Sequence, residues 1–318
     1  MNLPLVSVLM SCFNETESEL KDSIESILNQ SFTDFEFIIV NDNPENTKLK
    51  MILNRYKLDD IRIRIINNKN NIGLAKSLNK AINIARGKYV ARMDADDISL
   101  PNRLKEETDY LETHKDCDLV ATNRDDIDEN SNTTKTSAAI IVNDESIPKI
   151  LKYGSIITHP SVMIKTSILK NLNGYRSFKS SQDYDLWLRM VSKGYKFHIL
   201  PQVLIQYRVR QNSITKSNYA RSFFCHKYIR QLFFEREINN GADSFSEDYL
   251  NNIFYLPTSK TEPINNQYKL IMSLSKNKLQ PKLIMKLLIG IVKNKNCFIN
   301  LKNMLIAKFL IKLSKRNS

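Results

Sequence analysis

Apolar and polar residues fall in blocks along the first hundred positions, and each block carries the period of one element. Residues 5–12 form an apolar, β-branched run of strand length, and 35–40 form a second that ends in the turn-like Asn41-Asp42-Asn43-Pro44. Between them Leu20, Ile24, Ile27 and Leu28 share one helix face, and Thr16 followed by Glu19 has the spacing of a capping box. Residues 46–56 suit a helix, 61–66 alternate apolar with basic side chains as a half-buried strand does, and 74–85 are helical up to Gly87. A short strand over 89–93 runs into Asp94. This alternation predicts an α/β fold, a mostly parallel sheet flanked by helices.

Beyond Pro101 the pattern predicts a helix to about 114, a short strand over 119–122, and a polar loop or exposed hairpin over 123–145. A strand over 161–164 and a helix over 183–192, with Leu186 and Met190 four apart, come next. From about 218 the chain reads as mainly helical. The expected organisation is a catalytic unit over 1–215 and a basic helical region over 216–318.

Composition changes this picture in two ways. Of the formal charge of +13, +12 lies in residues 263–318, which hold eleven Lys, one Arg and no acid. The front of the molecule is therefore nearly neutral, which argues against a nucleic-acid partner, as does the lack of any helix-turn-helix, zinc or aromatic-rich RNA motif. No apolar run reaches the roughly 18 residues of a spanning helix, and residues 1–10 lack the features of a secretory signal. The four cysteines follow no disulfide or ligand pattern, as expected of reduced thiols in a cytoplasmic protein.

Ligands of open parallel sheets bind outside the carboxyl ends of the strands. Asp42 falls there after the second strand, and Asp94-Ala95-Asp96-Asp97 after the fourth. Carboxylates drawn together resist joint ionisation unless a cation offsets them. A hard divalent ion completed by a substrate's phosphates does so. The spacing is equally that of an Asp96 or Asp97 that caps the helix after Pro101.

Several segments in order carry a resemblance. They are Ser7-Val8-Leu9-Met10 with Phe13-Asn14-Glu15, Glu36 to Asp42, Asn71-Ile72-Gly73-Leu74, and Ala91 to Asp97. Leu100 to Leu104, His159-Pro160-Ser161-Val162 and Ser181 to Arg189 follow. Together they resemble family 2 glycosyltransferases, over about residues 5–213, above all the bacterial enzymes of capsule, O-antigen and exopolysaccharide synthesis. The resemblance implies a GT-A type fold, a Mg²⁺ or Mn²⁺ ion, and inverting transfer from a nucleotide-sugar, uridine-linked, to a saccharide hydroxyl. It places Ser11, Phe13, Asn14, Asp42, Asn79, Asp94 and Arg210 at the nucleotide-sugar, and Asp94 with Asp96 at the metal. Asp183 is implied as the base, the alternative being a helix cap. His159, Asp185, Trp187 and Asp97 are candidates for acceptor contacts or for support behind them, and a core position suits Trp187 as well. Arg103 would order the metal loop or simply be solvated. Two positions depart from the family: Gln182 stands where Glu is frequent, and Arg210 where His is.

The basic tail is amphipathic, with Leu283, Leu287 and Ile291 recurring every fourth residue. It suits peripheral contact with an anionic membrane on the cytoplasmic side, as a lipid-linked acceptor would require, or a bundle packed on the catalytic unit. A sugar nucleotidyltransferase is the rival enzyme reading, but residues 11–15 lack the glycines of its phosphate loop.

Overall fold

The computed structural model describes residues 3–136, 139–210, 219–276 and 281–315. Strands β1 (Val6–Cys12), β2 (Phe35–Asn41), β3 (Ile63–Asn67) and β4 (Tyr89–Arg92) lie parallel in the order β3-β2-β1-β4. Helices α1 (Glu17–Leu28), α2 (Thr47–Asp59) and α3 (Leu74–Ile84) connect them. The capping box forms: the Thr16 hydroxyl accepts from the Glu19 N–H while the Glu19 carboxylate accepts from the Thr16 N–H.

The sheet then continues with mixed direction, where the sequence pattern predicted a mostly parallel one. After β5 (Ile98–Ser99) and α4 (Arg103–Thr113) come β6 (Leu119–Ile127) and β7 (Thr133–Lys135), which form the exposed hairpin. Helix α5 (Ile147–Leu151) precedes β8 (Val162–Lys165), which runs antiparallel to both β4 and β6. Helices α6 (Thr166–Asn171) and α7 (Gln182–Ser192) lead to β9 (Phe197–Arg208), parallel to β6. The apolar pattern did not reveal β9, and its pairing explains why. Leu200 faces Thr122 but Val203 faces Asn123, so Pro201 and Gln202 are extra residues in a bulge that interrupts the alternation. The Asn123 amide fills the gap by donating to the carbonyls of Leu200 (2.9 Å) and Pro201 (3.2 Å).

Period-two alternation divides the core between the sheet's faces. Phe35, Phe37 and Ile39 of β2 pack with α1, α2 and α4, whereas Ile38 and Val40 pack with α3, α6 and α7. The C-terminal region comprises α8 (Tyr219–Ile238), α9 (Glu247–Phe254), α10 (Thr258–Lys276), α11 (Pro281–Lys293) and α12 (Lys295–Ser314). Helix α8 buries Cys225, Ile229, Leu232 and Phe233 in the same cluster as Leu186 and Trp187 of α7. The division at residue 215 falls outside the described residues. No helix among the described residues is long and apolar enough to cross a membrane.

Candidate active site

The order β2-β1-β4 reverses direction of travel at β1, and the carboxyl edge there gathers the acidic residues. Asp94 and Asp96 follow β4. The Arg92 guanidinium pairs with Asp94, and Ser23 of α1 donates to the Asp94 carbonyl at 2.8 Å. Asp96 Oδ2 lies 3.1 Å from Arg210, whose same nitrogen reaches Glu19 at 3.1 Å. Burial first, and then the charge of Asp94, push the Asp96 carboxyl up to about 6, against the pull of Arg210. Burial, aided by Asp94 and Asp96, holds Asp97 well above the usual carboxylate range. Glu15 also rises through burial and, more weakly, Asp94. This crowding of carboxylates around two arginines is the electrostatic signature of the site.

Asp97 and Arg208 fix the crowd in place. Asp97 is 1% exposed and accepts the Arg208 N–H at 2.8 Å, while the Arg208 guanidinium donates to the Asp96 carbonyl at 2.7 Å. Neither Asp96 nor Asp97 caps α4, whose N-cap is Asn102. Arg103 is not solvated but fully buried: it pairs with Glu107 at 2.9 Å and donates to the Arg92 carbonyl at 2.8 Å, bracing the strand that delivers Asp94. Arg92, Arg103 and Arg208 were missed or underrated in sequence because arginine is ordinarily a surface residue. The dense Arg-Asp motif of Ala91 to Asp97 is the signal that could have pointed to Arg92.

A cavity of about 1160 Å³ opens from this edge, and Arg92, Asp94, Asp96, His159, Asp183 and Arg210 all line it. Asp183 enters from α7. The helix begins after Ser181, a non-glycine residue held at φ 66° that lines the same cavity. Backbone held in the left-handed region costs free energy and clusters at functional positions. Asp183 is not the N-cap residue. Its carboxyl is pushed up to about 6 by burial, which outweighs the backbone N–H bonds of Tyr184 and Asp183 and the charge of Arg92. His159 bonds the Tyr175 hydroxyl at 2.9 Å, and burial with Arg92 holds it well below its usual pKa, so it is neutral.

Other expected site residues lie elsewhere. Asn79 does not face the cavity: its side chain exchanges hydrogen bonds with the backbone of Tyr175 at 2.7 and 2.8 Å. Asp185 is fully buried and pairs with Arg189 at 2.8 Å, which excludes substrate contact. Trp187 is a core residue, also fully buried, edge-on to His159 with centroids 6.2 Å apart. Asp42 is 3% exposed and its carboxylate accepts from Asn68, Ile72 and Gly73, at 2.8 to 2.9 Å. It thereby builds the turn into α3, where Gly73 has φ 82°. Ser11, next to the last residue of β1, is half-buried, and Phe13 and Asn14 just beyond the strand are exposed. Asn43 ties that segment to β2 by donating to the Phe13 carbonyl and the Asn14 side chain, at 2.9 and 3.0 Å. None of these four lines the large cavity. They form a shelf next to it, linked through Glu15, which senses Asp94 and accepts the Phe13 N–H at 2.7 Å.

Among the described residues, no three His, Cys, Asp or Glu side chains converge as a ready-made metal cage. Asp94 and Asp96 offer carboxylates, and Asp97 Oδ2 is buried without a partner. Such a donor set of hard oxygens with excess negative charge fits a divalent cation whose remaining ligands come from elsewhere.

Comparisons agree with this geometry. Residues 7–172 match the family described as Glycosyl transferase family 2. An uncharacterised glycosyltransferase of Methanocaldococcus jannaschii is 45% identical over 218 residues, 68% of this chain and 75% of that one. The O-antigen biosynthesis glycosyltransferase WbnJ of Escherichia coli is 33% identical over 242 residues, 75% of this chain and 92% of that one. Among solved structures, S. aureus TarS 1–349 in complex with UDP-GlcNAc superposes with a TM-score of 0.59 at 17% identity, covering 81% of this chain and 75% of that one. The mannosyltransferase PcManGT from Pyrobaculum calidifontis, in complex with GDP-Man and Mn²⁺, gives 0.56 at 14% identity over 97% of this chain and 87% of that one. The sheet with its acidic carboxyl edge is of the GT-A type. The chain belongs to glycosyl transferase family 2.

Proposed function

We propose that this protein transfers a sugar, with inversion, from a uridine-linked nucleotide-sugar to a hydroxyl of a saccharide acceptor carried on a lipid, in the synthesis of a cell-surface polysaccharide. The observation that carries this reading is the meeting of Asp94 and Asp96 from the β4 edge with Asp183 from α7 around one cavity. The donor's nucleoside would lie on the shelf of Ser11, Phe13 and Asn14, beside the turn that Asp42 builds.

The acceptor hydroxyl attacks the anomeric carbon and Asp183 takes its proton as the new C–O bond forms. The bond between the anomeric carbon and the phosphate oxygen breaks, and its electron pair leaves with the nucleoside diphosphate. A Mg²⁺ or Mn²⁺ ion held by Asp94, Asp96 and the donor's diphosphate would offset charge on that leaving group. Arg210 lends a further positive charge beside Asp96. His159 remains neutral and orients through its bond to Tyr175. Asp97 and Arg208 hold the acidic segment in position.

The enclosing context is a membrane surface on the cytoplasmic side, approached by the basic C-terminal helices. The test is incubation of the full chain with a panel of nucleotide-sugars and either metal, reading nucleoside diphosphate release with and without chelator. Release that needs metal is expected. Release of inorganic pyrophosphate instead would identify a nucleotidyltransferase, and no binding of any nucleotide-sugar would sink the reading.

A further inference from the structure

The large cavity has a further stretch of lining that the transfer chemistry does not use. One face of α8 and one face of α12 form it, through Phe223, His226 and Arg230 on the former and Met304, Lys308 and Ile311 on the latter. Two cations, Arg230 and Lys308, thus line this stretch, while the acidic lining residues among those described, Asp94, Asp96 and Asp183, come from the β4 edge and the start of α7. Arg230 is 9% exposed, and neither it nor Lys308 has a carboxylate partner among the described residues. None of the residues outside the description is acidic, so no acid there supplies the counter-charge.

A buried guanidinium without a counterion is costly unless an anion arrives to pair with it. Arg230 lies beside the Tyr184 hydroxyl, and Tyr184 is the residue after Asp183. His226 packs on the same tyrosine ring, with centroids 4.7 Å apart. The basic stretch is therefore one side chain away from the base. Its apolar wall is formed by Met304, Ala307 and Ile311, on the face of α12 that lines the cavity.

We propose that this basic stretch anchors the acceptor: Arg230 and Lys308 bind the phosphate or diphosphate of an amphipathic molecule whose apolar chain lies against the cavity-lining face of α12. The acceptor's hydroxyl then reaches Asp183 from the side opposite the donor. The assignment rests on the transferase reading above, as the acceptor's part of the same cavity.

Isothermal titration of the full chain tests it, with farnesyl diphosphate, inorganic pyrophosphate and farnesol as probes and UDP with Mg²⁺ as a separate titrant. Farnesyl diphosphate is expected to bind more tightly than either other probe. Arg230→Gln and Lys308→Gln are each expected to weaken it tenfold or more while UDP affinity stays within twofold of wild type. Lys308 lies on an exposed helix surface, so Lys308→Gln reads the site even if Arg230→Gln misfolds. Unchanged farnesyl diphosphate binding in Lys308→Gln would overturn the proposal. So would a parallel loss of UDP affinity, pyrophosphate binding as tight as the prenyl compound, or farnesol binding as tight. Farnesyl diphosphate binding through these cations in a chain that ignores UDP would support the anchor and sink the donor assignment instead.

Discussion

Asp183 stands at the second position of α7, where burial opposes its ionisation and sets its carboxyl at about 6. As the base it must be ionised, so kcat/KM is expected to fall tenfold per unit below about pH 6, and a pH profile with saturating metal reads this directly. Asp183→Asn removes the proton acceptor and is expected to cut transfer by about 10²–10⁴-fold with UDP affinity unchanged. A profile that is flat from pH 5 to 8 would remove Asp183 from the base's role. Stability runs the other way. A carboxyl whose pKa rises on folding stabilises the fold below its unfolded value, near pH 4, and that contribution is lost as pH rises through 6. Asp183→Asn should therefore raise the melting temperature at pH 8 but not at pH 4, as measured by fluorimetry. At this scale the motifs carried Asp94, Asp96 and Asp183 to one cavity, but could not say which neighbours face it. Asp185 is two residues from Asp183 on a helix, so its side chain points into the core. Asn79 met its partner, Tyr175, 96 residues away in sequence, beyond the reach of local pattern.

Elements position these residues through close approaches that the sequence pattern shows only in part. Strands β1, β2 and β4 were legible because both faces are buried and the runs are uninterrupted, and β3 because its apolar and basic residues alternate. Strand β9 was not, because the bulge at Pro201 breaks the alternation, yet it delivers Arg208 to the acidic segment. The Arg208 guanidinium donates to the carbonyls of Asp96 and Asp128 at 2.7 and 2.8 Å. Arg208→Met leaves the Asp96 carbonyl without this donor, whereas the Asp128 carbonyl keeps the Ser131 N–H at 3.1 Å, so the loss is expected to cost about 1–3 kcal/mol. Loosened Asp96 should also weaken metal-dependent UDP binding. A urea midpoint and a UDP titration equal to wild type would remove the clamp from the argument. Gly87 marks a similar contact before β4. A Cβ there would lie 2.5 Å from the backbone nitrogen of Ser7, and the Gly87 N–H donates to the Ser7 hydroxyl at 2.9 Å. Backbone cannot move as a side-chain tip does, so Gly87→Ala is expected to cost about 1–3 kcal/mol by overpacking. A urea midpoint indistinguishable from wild type would show that β1 and β4 separate freely.

At the scale of the molecule, the C-terminal helices carry two apolar sets, one packed inside the bundle and one exposed. Leu283, Leu287 and Ile291 are half-buried, as expected where α11 packs with α10 and α12. A second set on the same helices faces outward: Met285, Leu288 and Val292 are 59%, 51% and 87% exposed, and Phe298, Leu305 and Phe309 are 51%, 57% and 61% exposed. Lys286, Lys293, Lys302 and Lys312 stand among them. One stripe for the bundle and another for the outside could not be separated by period, because both repeat every three to four residues. Apolar side chains set among lysines suit an anionic bilayer surface, where each Lys contributes about 1 kcal/mol and the attraction decays within a Debye length. The full chain is expected to float with anionic vesicles at low salt and to be released at high salt. Paired Val292→Asp and Phe309→Asp substitutions should lower binding at any salt without altering nucleotide affinity, since neither residue lines the cavity. Equal flotation on neutral and anionic vesicles, or unchanged flotation of the double variant, would assign the outer stripe to a protein partner instead.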